Sequence, residues 1–133
     1  MLIPSELRIG NILQRDPIIW NDGNPEDKGL DTIFIDEEII KSISSRKEHS
    51  YYPAPVSSFI WHFNFNRVFI SKELALWTIM DDAKFVVFQS SNLFYVETDI
   101  VNHKKKYFNY MHQLQNYFFD ITRKELKWVG LNS

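Results

Sequence analysis

The residues of this chain whose types could do chemistry are four histidines, two groups of adjacent carboxylates and one run of lysines. His49, His62, His103 and His112 are spaced at neither i+3 nor i+4, so no two can share a helical face as ligands of one metal ion. Asp36-Glu37-Glu38 and Asp81-Asp82 are neighbouring carboxylates. Acid–base work needs a pocket that drives two such pKa values apart, and both groups sit in sequence typical of wet turns. Asp22, Asn24 and Glu26 alternate like the start of a calcium loop, but its closing bidentate glutamate is missing. The four glycines are well separated, which rules out a glycine-rich phosphate loop, and there is no Gly-x-Ser-x-Gly elbow. Cysteine is absent, which removes thiolate nucleophiles, Cys-ligated zinc and disulfides together. The expectation is a protein that is not an enzyme and holds no metal and no cofactor.

Charge is distributed unevenly. The net charge of −2 is too small to predict a polyanionic partner. Residues 16–38 nevertheless carry eight acidic side chains against the single Lys28, and His103-Lys104-Lys105-Lys106 is the one strong basic run. The lysines have two readings. Either they form a solvated, frayed helix entrance, or they make an anion contact at Lys104, Lys105 and Lys106 beside the positive end of a helix dipole.

The elements that must position these residues follow from period and punctuation. Residues 7–13 read as a first strand, with Gly10 supplying a backbone angle that other residues resist. Residues 16–31 carry turn chemistry, strongest at Asp22-Gly23. Residues 32–35 and 38–44 are rich in β-branched side chains about Asp36-Glu37, so a hairpin is predicted. Tyr51-Tyr52-Pro53-Ala54-Pro55 should run extended, because each proline restrains its predecessor. That stretch is the candidate hinge. Ser57 or Ser58 can cap a short helix through Phe63. An antiparallel meander is predicted over residues 67–70, 74–79, 84–89 and 93–97. Phe85-Val86-Val87-Phe88, apolar on both faces, would be its central strand.

Residues 107–126 carry an apolar stripe at helical spacing, namely Tyr107, Tyr110, Met111, Leu114, Tyr117, Phe118 and Ile121, opposite Asn109, Gln113, Asn116 and Asp120. The predicted helix starts near Asn102 and packs its stripe on the sheet. Phe108 and Phe119 fall off the stripe beside His112 and Gln115, so apolar surface wraps further round than one sheet contact requires. Either a second element covers that flank, with Trp128 and Val129 folding back over it, or another molecule does.

The fold class expected is therefore α+β in one domain over residues 1–133. Residues 1–52 would form a small, barrel-like β subdomain. Residues 53–133 would hold the short helix, the meander and the C-terminal helix. With 133 residues and 44% hydrophobic content, such a domain can build a core unaided. No stretch approaches the ~18 apolar residues of a membrane helix. Residues 1–11 lack a basic region followed by an apolar run, so no signal peptide is expected and a cytoplasmic location is.

The run Met111-His112-Gln113-Leu114-Gln115-Asn116-Tyr117-Phe118-Phe119-Asp120-Ile121-Thr122, with Lys124-Glu125-Leu126, resembles the closing motif of a family of uncharacterised small bacterial proteins. In that motif a hydrophobic residue precedes His-Gln-Leu-Gln-Asn, then aromatics, then a Leu-Thr-Gly-Glu-Glu-Leu-like ending. Glu6-Leu7-Arg8-Ile9-Gly10-Asn11 resembles the family's opening motif, and Pro53-Ala54-Pro55-Val56 its central Pro-x-Pro-Leu segment. These islands span the chain in the same order, with poor matching between them. The resemblance implies a setting, in gut anaerobes and often on prophages or mobile elements, and no activity. Two departures stand out. Arg123 replaces the glycine after threonine, which puts the helix-ending turn in question, and residues 16–31 replace a shorter turn.

Two functions fit these residues. The first is a protein-interaction module, or a homo-oligomer, working through Phe108, His112, Gln115 and Phe119 on the helix flank with Tyr51 and Tyr52 at the hinge, since rings bury much area with few rotors to freeze. The second is a nucleic-acid-binding accessory protein. Its platform would be the N-terminal barrel, with Arg46, Lys47 and Lys104 to Lys106 reaching phosphates. The acidic segment opposes it.

Overall fold

The computed structural model of the chain describes residues 2, 4–16, 30–45, 51–80, 82–99 and 101–130. The chain divides into two compact units, Met1–Ala54 and Pro55–Ser133. It is an α+β protein, with mixed helices and strands and two antiparallel sheets.

The first unit holds β1 (Ile12–Arg15), β2 (Asp31–Phe34) and β3 (Tyr51–Pro53) in the order β2-β1-β3. β1 starts later than the predicted strand because residues 8–11 close a turn. The Asn11 amide donates to the Arg8 carbonyl at 3.0 Å, the Asn11 side chain accepts from the Arg8 amide at 2.7 Å, and Gly10 takes φ +94°. That angle lies where only glycine is unstrained. The predicted hairpin about Asp36-Glu37 is instead a strand followed by a helix, α1 (Glu37–Ser44). Asp36 caps it, its carboxylate accepting from the Ile39 amide at 2.9 Å, and Glu37 and Glu38 lie at the positive end of the dipole. Ile39, Ile40 and Ile43 then share one face and pack on Leu13 and Ile35, joined by Leu7, Ile33 and Tyr51. Tertiary burial of this stripe overrides the β preference of branched side chains. The barrel-like expectation is corrected too: three short strands form an open sheet among the described residues, too few to close on themselves. The turn at Asp22-Gly23, most of the acidic segment, and Arg46, Lys47 and His49 lie outside the described residues.

The second unit begins with α2 (Val56–Phe59) and a 3-10 turn (Ile60–His62). The helix cap is Pro55 rather than Ser57 or Ser58, and no side chain bonds there. Five strands follow: β4 (Phe65–Phe69), β5 (Leu74–Ile79), β6 (Asp82–Ser90), β7 (Leu93–Asp99) and β8 (Lys104–Phe108), neighbours in chain order. β6 is central, as its two-sided apolar run predicts. β8 corrects the predicted helix start. Asp99 accepts from the amides of Val101 and Asn102 at 3.1 and 3.2 Å and from the Asn102 side chain at 2.6 Å. Asn102 thus serves a hairpin turn, with His103 at φ +56°, and residues 104–108 return as a strand. The helix proper, α3 (Met111–Thr122), begins after Tyr110. The Gln113 side chain accepts from the Asn109 and Tyr110 amides, both at 3.2 Å, the reciprocal half of a capping box.

Residues opposite one another in an antiparallel ladder share a face. The register puts Phe65, Trp77, Val87, Phe94 and Phe108 on one face, all of them buried. α3 covers this side with Met111, Leu114 and Phe118, the Phe118 ring meeting Phe85 edge-on at 4.9 Å between centroids. Beyond α3 the tail folds back, as Trp128 and Val129 suggest. It lands on residues 62–64 rather than on the helix. Trp128 pairs with Phe63, the Val129 and Gly130 amides donate to the His62 carbonyl at 2.8 and 3.1 Å, and the Lys127 amide donates to the Asn64 side chain at 2.9 Å.

Candidate functional site

The opposite face of the five-stranded sheet is the one on which α3 does not pack, yet it is largely apolar. By the same register it presents Val68 on β4, Leu74 and Leu76 on β5, Val86 and Phe88 on β6, Leu93 and Tyr95 on β7, and Tyr107 on β8. An antiparallel sheet with one solvated face ordinarily alternates apolar-in with polar-out. Here both sides of the alternation are apolar over the central strands. Val68, Leu93 and Tyr107 are more than half exposed, and Leu74, Leu76, Val86 and Phe88 partly so.

Across this face the rings make a row over three neighbouring strands. Phe88 stacks on Tyr95 at 5.3 Å with planes 12° apart, and Tyr95 meets Tyr107 at 5.4 Å. The Lys105 ammonium lies 4.7 Å from the Tyr95 centroid, a cation on a ring face. Glu97 stands directly opposite Lys105 in the ladder, so the charges at this end oppose one another.

A cleft opens inside the sheet itself. β6 and β7 pair at only three positions, from Ser90↔Leu93 to Phe88↔Tyr95, although both strands run on. Beyond that point lies a cavity of about 340 Å³ whose walls include Phe85 and Val86 of β6, Val96 and Glu97 of β7, and Tyr117 and Ile121 of α3. The lining is apolar apart from Lys84, Glu97 and the Tyr117 phenol. Burial pushes the Tyr117 phenol above its ordinary pKa.

The sequence-predicted interaction residues differ in accessibility. Phe108, His112 and Gln115 are 2, 3 and 2% exposed, which corrects their placement on an accessible flank. Phe108 belongs to a strand and points into the core against Tyr117, 5.3 Å away. The buried stripe of α3 is turned toward His112 and Gln115, leaving Ile121 exposed and Tyr117 half-buried. Phe119 is half-buried, with the Arg123 guanidinium 5.8 Å above its ring. Tyr51 packs on the core of the first unit. Tyr52 is exposed and donates to Asp16 at 3.3 Å; the Asp16 charge, with some burial and that bond, raises its pKa. Lys104, Lys105 and Lys106 lie on an edge strand rather than in the first turn of a helix. The row of rings on the open face escaped the sequence reading because Tyr107 sits in what looks like a helix. Once residues 104–108 are read as a strand, alternation sets Lys105 and Tyr107 on one face.

Among the described residues no group of three or more His, Asp and Glu side chains could hold a metal ion. No helix among them is long and apolar enough to cross a membrane. No family model matches the chain, and no curated protein or solved structure matches it either.

Proposed function

We propose that the chain is a non-catalytic protein-interaction module that binds a partner protein through the open face of the five-stranded sheet. The observation that supports this reading is the apolar row from Val68 through Leu76, Phe88 and Leu93 to Tyr107 on a face that α3 does not cover. Contiguous exposed apolar surface of this kind marks contact sites, and a centre of rings with lysine and glutamate at its rim matches the layout of protein interfaces. The prophage or mobile-element setting implied by the family resemblance belongs to the same proposal.

The experiment pairs the wild type with the double variant Leu93→Lys, Tyr107→Ser. Both side chains are half-exposed, so the melting temperature should stay close to wild type. Wild-type protein should enhance the fluorescence of an anilinonaphthalene sulfonate dye and retain host proteins on a column. The variant should do neither. A variant that captures the same proteins as the wild type would sink the reading.

A second reading rests on the Phe88–Tyr95–Tyr107 row with Lys105, since stacked rings beside a cation also suit single-stranded nucleic acid. It moves the platform from the N-terminal sheet to the second unit. Oligonucleotide binding that weakens steeply with salt and is lost in Tyr107→Ala would favour it, whereas an apolar protein contact responds little to salt.

A further inference from the structure

The five-stranded sheet ends in two edges, β4 and β8, and the chain treats them differently. β8 carries Lys104, Lys105 and Lys106, and a charged edge discourages the addition of another strand. β4 has no Lys, Glu or Pro. Its Val68 and Phe69, with the adjoining Ile70, are 52, 64 and 58% exposed.

The direction of the β4 backbone groups is fixed at both ends. The Ile70 amide donates to the Leu74 carbonyl at 2.8 Å, and the Met80 amide donates to the Asn64 carbonyl at 3.0 Å. Hydrogen bonding alternates along an antiparallel strand, so Asn66 and Val68 also address β5. The N–H and C=O groups of Arg67 and Phe69 therefore point off the sheet, and no segment among the described residues takes them up. An unpaired row of this kind is a template for one more strand.

We propose that this edge pairs antiparallel with β4 of a second copy of the chain, about a two-fold axis at Val68. Phe65 points outward by the same alternation, but its amide donates to the Phe63 carbonyl at 2.8 Å, so a self-pairing that uses the free outward groups can be centred on Arg67, Val68 or Phe69. Centring on Arg67 sets like charges directly opposite, which is destabilising. Centring on Phe69 sets Arg67 against Ser71, past the end of the strand. Centring on Val68 sets Arg67 against Phe69 of the second copy, twice over. Both residues present their free backbone groups there, for roughly four hydrogen bonds. The Arg67 guanidinium, already 4.6 Å from its own Phe69 ring, then meets the second copy's ring as well, so cation and aromatic face are complementary across the axis. The interface is isologous and closes after two copies. The lysines of β8 keep the far edges from extending it.

The chain has no cysteine, which makes single-cysteine variants decisive. A non-hydrogen-bonded antiparallel pair has Cα atoms about 4.5 Å apart, inside disulfide reach of roughly 4.4–6.8 Å. Val68→Cys is expected to oxidise to a covalent dimer at least roughly tenfold faster than Asn66→Cys or Ile70→Cys, because only position 68 faces itself. An equal mixture of Asn66→Cys and Ile70→Cys should cross-link as a heterodimer, since these two positions face each other. Sedimentation equilibrium on the wild type should show a concentration-dependent dimer. Val68→Lys should abolish it at unchanged melting temperature, and Lys105→Glu should leave it intact. A wild type that stays monomeric, a Val68→Lys protein that still dimerises, or a Val68→Cys protein that cross-links no faster than Ile70→Cys overturns the inference. The open-face reading stands apart from this result: capture by the wild type that is lost in Leu93→Lys, Tyr107→Ser survives a monomeric outcome.

Discussion

Arg123 ends α3 at φ +60°, ψ +22°, an angle that costs an L-residue roughly 1–2 kcal/mol and glycine almost nothing. Its amide donates to the Phe119 carbonyl at 2.8 Å, so the left-handed cap forms although glycine is absent. The helix-ending turn thus uses a glycine-like angle with an arginine in place. Arg123→Gly is therefore expected to stabilise the protein by about 0.5–1 kcal/mol, the relieved strain being partly offset by glycine's greater freedom in the unfolded chain. The midpoint of a urea titration measures it, and a fall in midpoint would show that the contact with the Phe119 ring outweighs the strain. Gly10 is legible in the sequence for the same physical reason, since a glycine flanked by strand-forming residues announces an unusual backbone angle. His112 and Gln115 are not legible. Their polarity assigns them to water, yet both are buried and both engage partners in the fold. A polar side chain that finds partners inside the fold, as the His112 ring does in stacking on Tyr110 at 6.1 Å, can enter a core, and no spacing rule reveals where those partners stand.

At the scale of elements, period fails where two periods compete. Residues 104–111 match a helical stripe through Tyr107, Tyr110 and Met111. They also alternate as a strand, with Lys105 and Tyr107 on one face and Lys106 and Phe108 on the other. What decides is the turn: Asp99 gathers Val101 and Asn102 into a reversal, which delivers the following residues beside β7. Likewise Asp36 serves a hairpin or a helix cap equally well, and the apolar spacing of Ile39, Ile40 and Ile43 settles it. The meander, by contrast, is legible because short polar connections separate its runs. The seam between α3 and the sheet carries a pH signature. Tyr117 sits between Phe85 and Phe108, 6.2 and 5.3 Å away, and burial raises its pKa above the ordinary 10.0. The folded protein then holds this proton more tightly than the unfolded chain does. The stability it contributes is intact below the unfolded value and is lost as pH rises through the folded one. Tyr117→Phe should accordingly lose less stability than the wild type when pH is raised above about 10, followed by denaturant midpoints at matched ionic strength. Identical slopes in the two proteins would place the phenol in water.

At the scale of the whole molecule, the division at Ala54 carries a consequence for folding. The Pro55–Ser133 unit has a core of its own. One sheet face supplies Phe65, Trp77, Val87, Phe94 and Phe108, and α3 supplies Met111, Leu114 and Phe118. Its tail is fastened to residues 62–64 of the same unit by backbone amides that donate to the His62 carbonyl and to the Asn64 side chain. Nothing in that list comes from the first unit. Units of this size fold alone when their apolar surface is satisfied internally. The fragment of residues 55–133 is therefore expected to unfold in a single cooperative transition and to keep a near-ultraviolet circular dichroism spectrum from the buried Trp77, whose indole N–H donates to Gln89 at 2.8 Å. The spectrum is the discriminating measurement, because far-ultraviolet signal persists in loosely packed states that have lost fixed side chains. A fragment with helical and strand signal but no near-ultraviolet bands would show that residues 1–54 are needed to order this core.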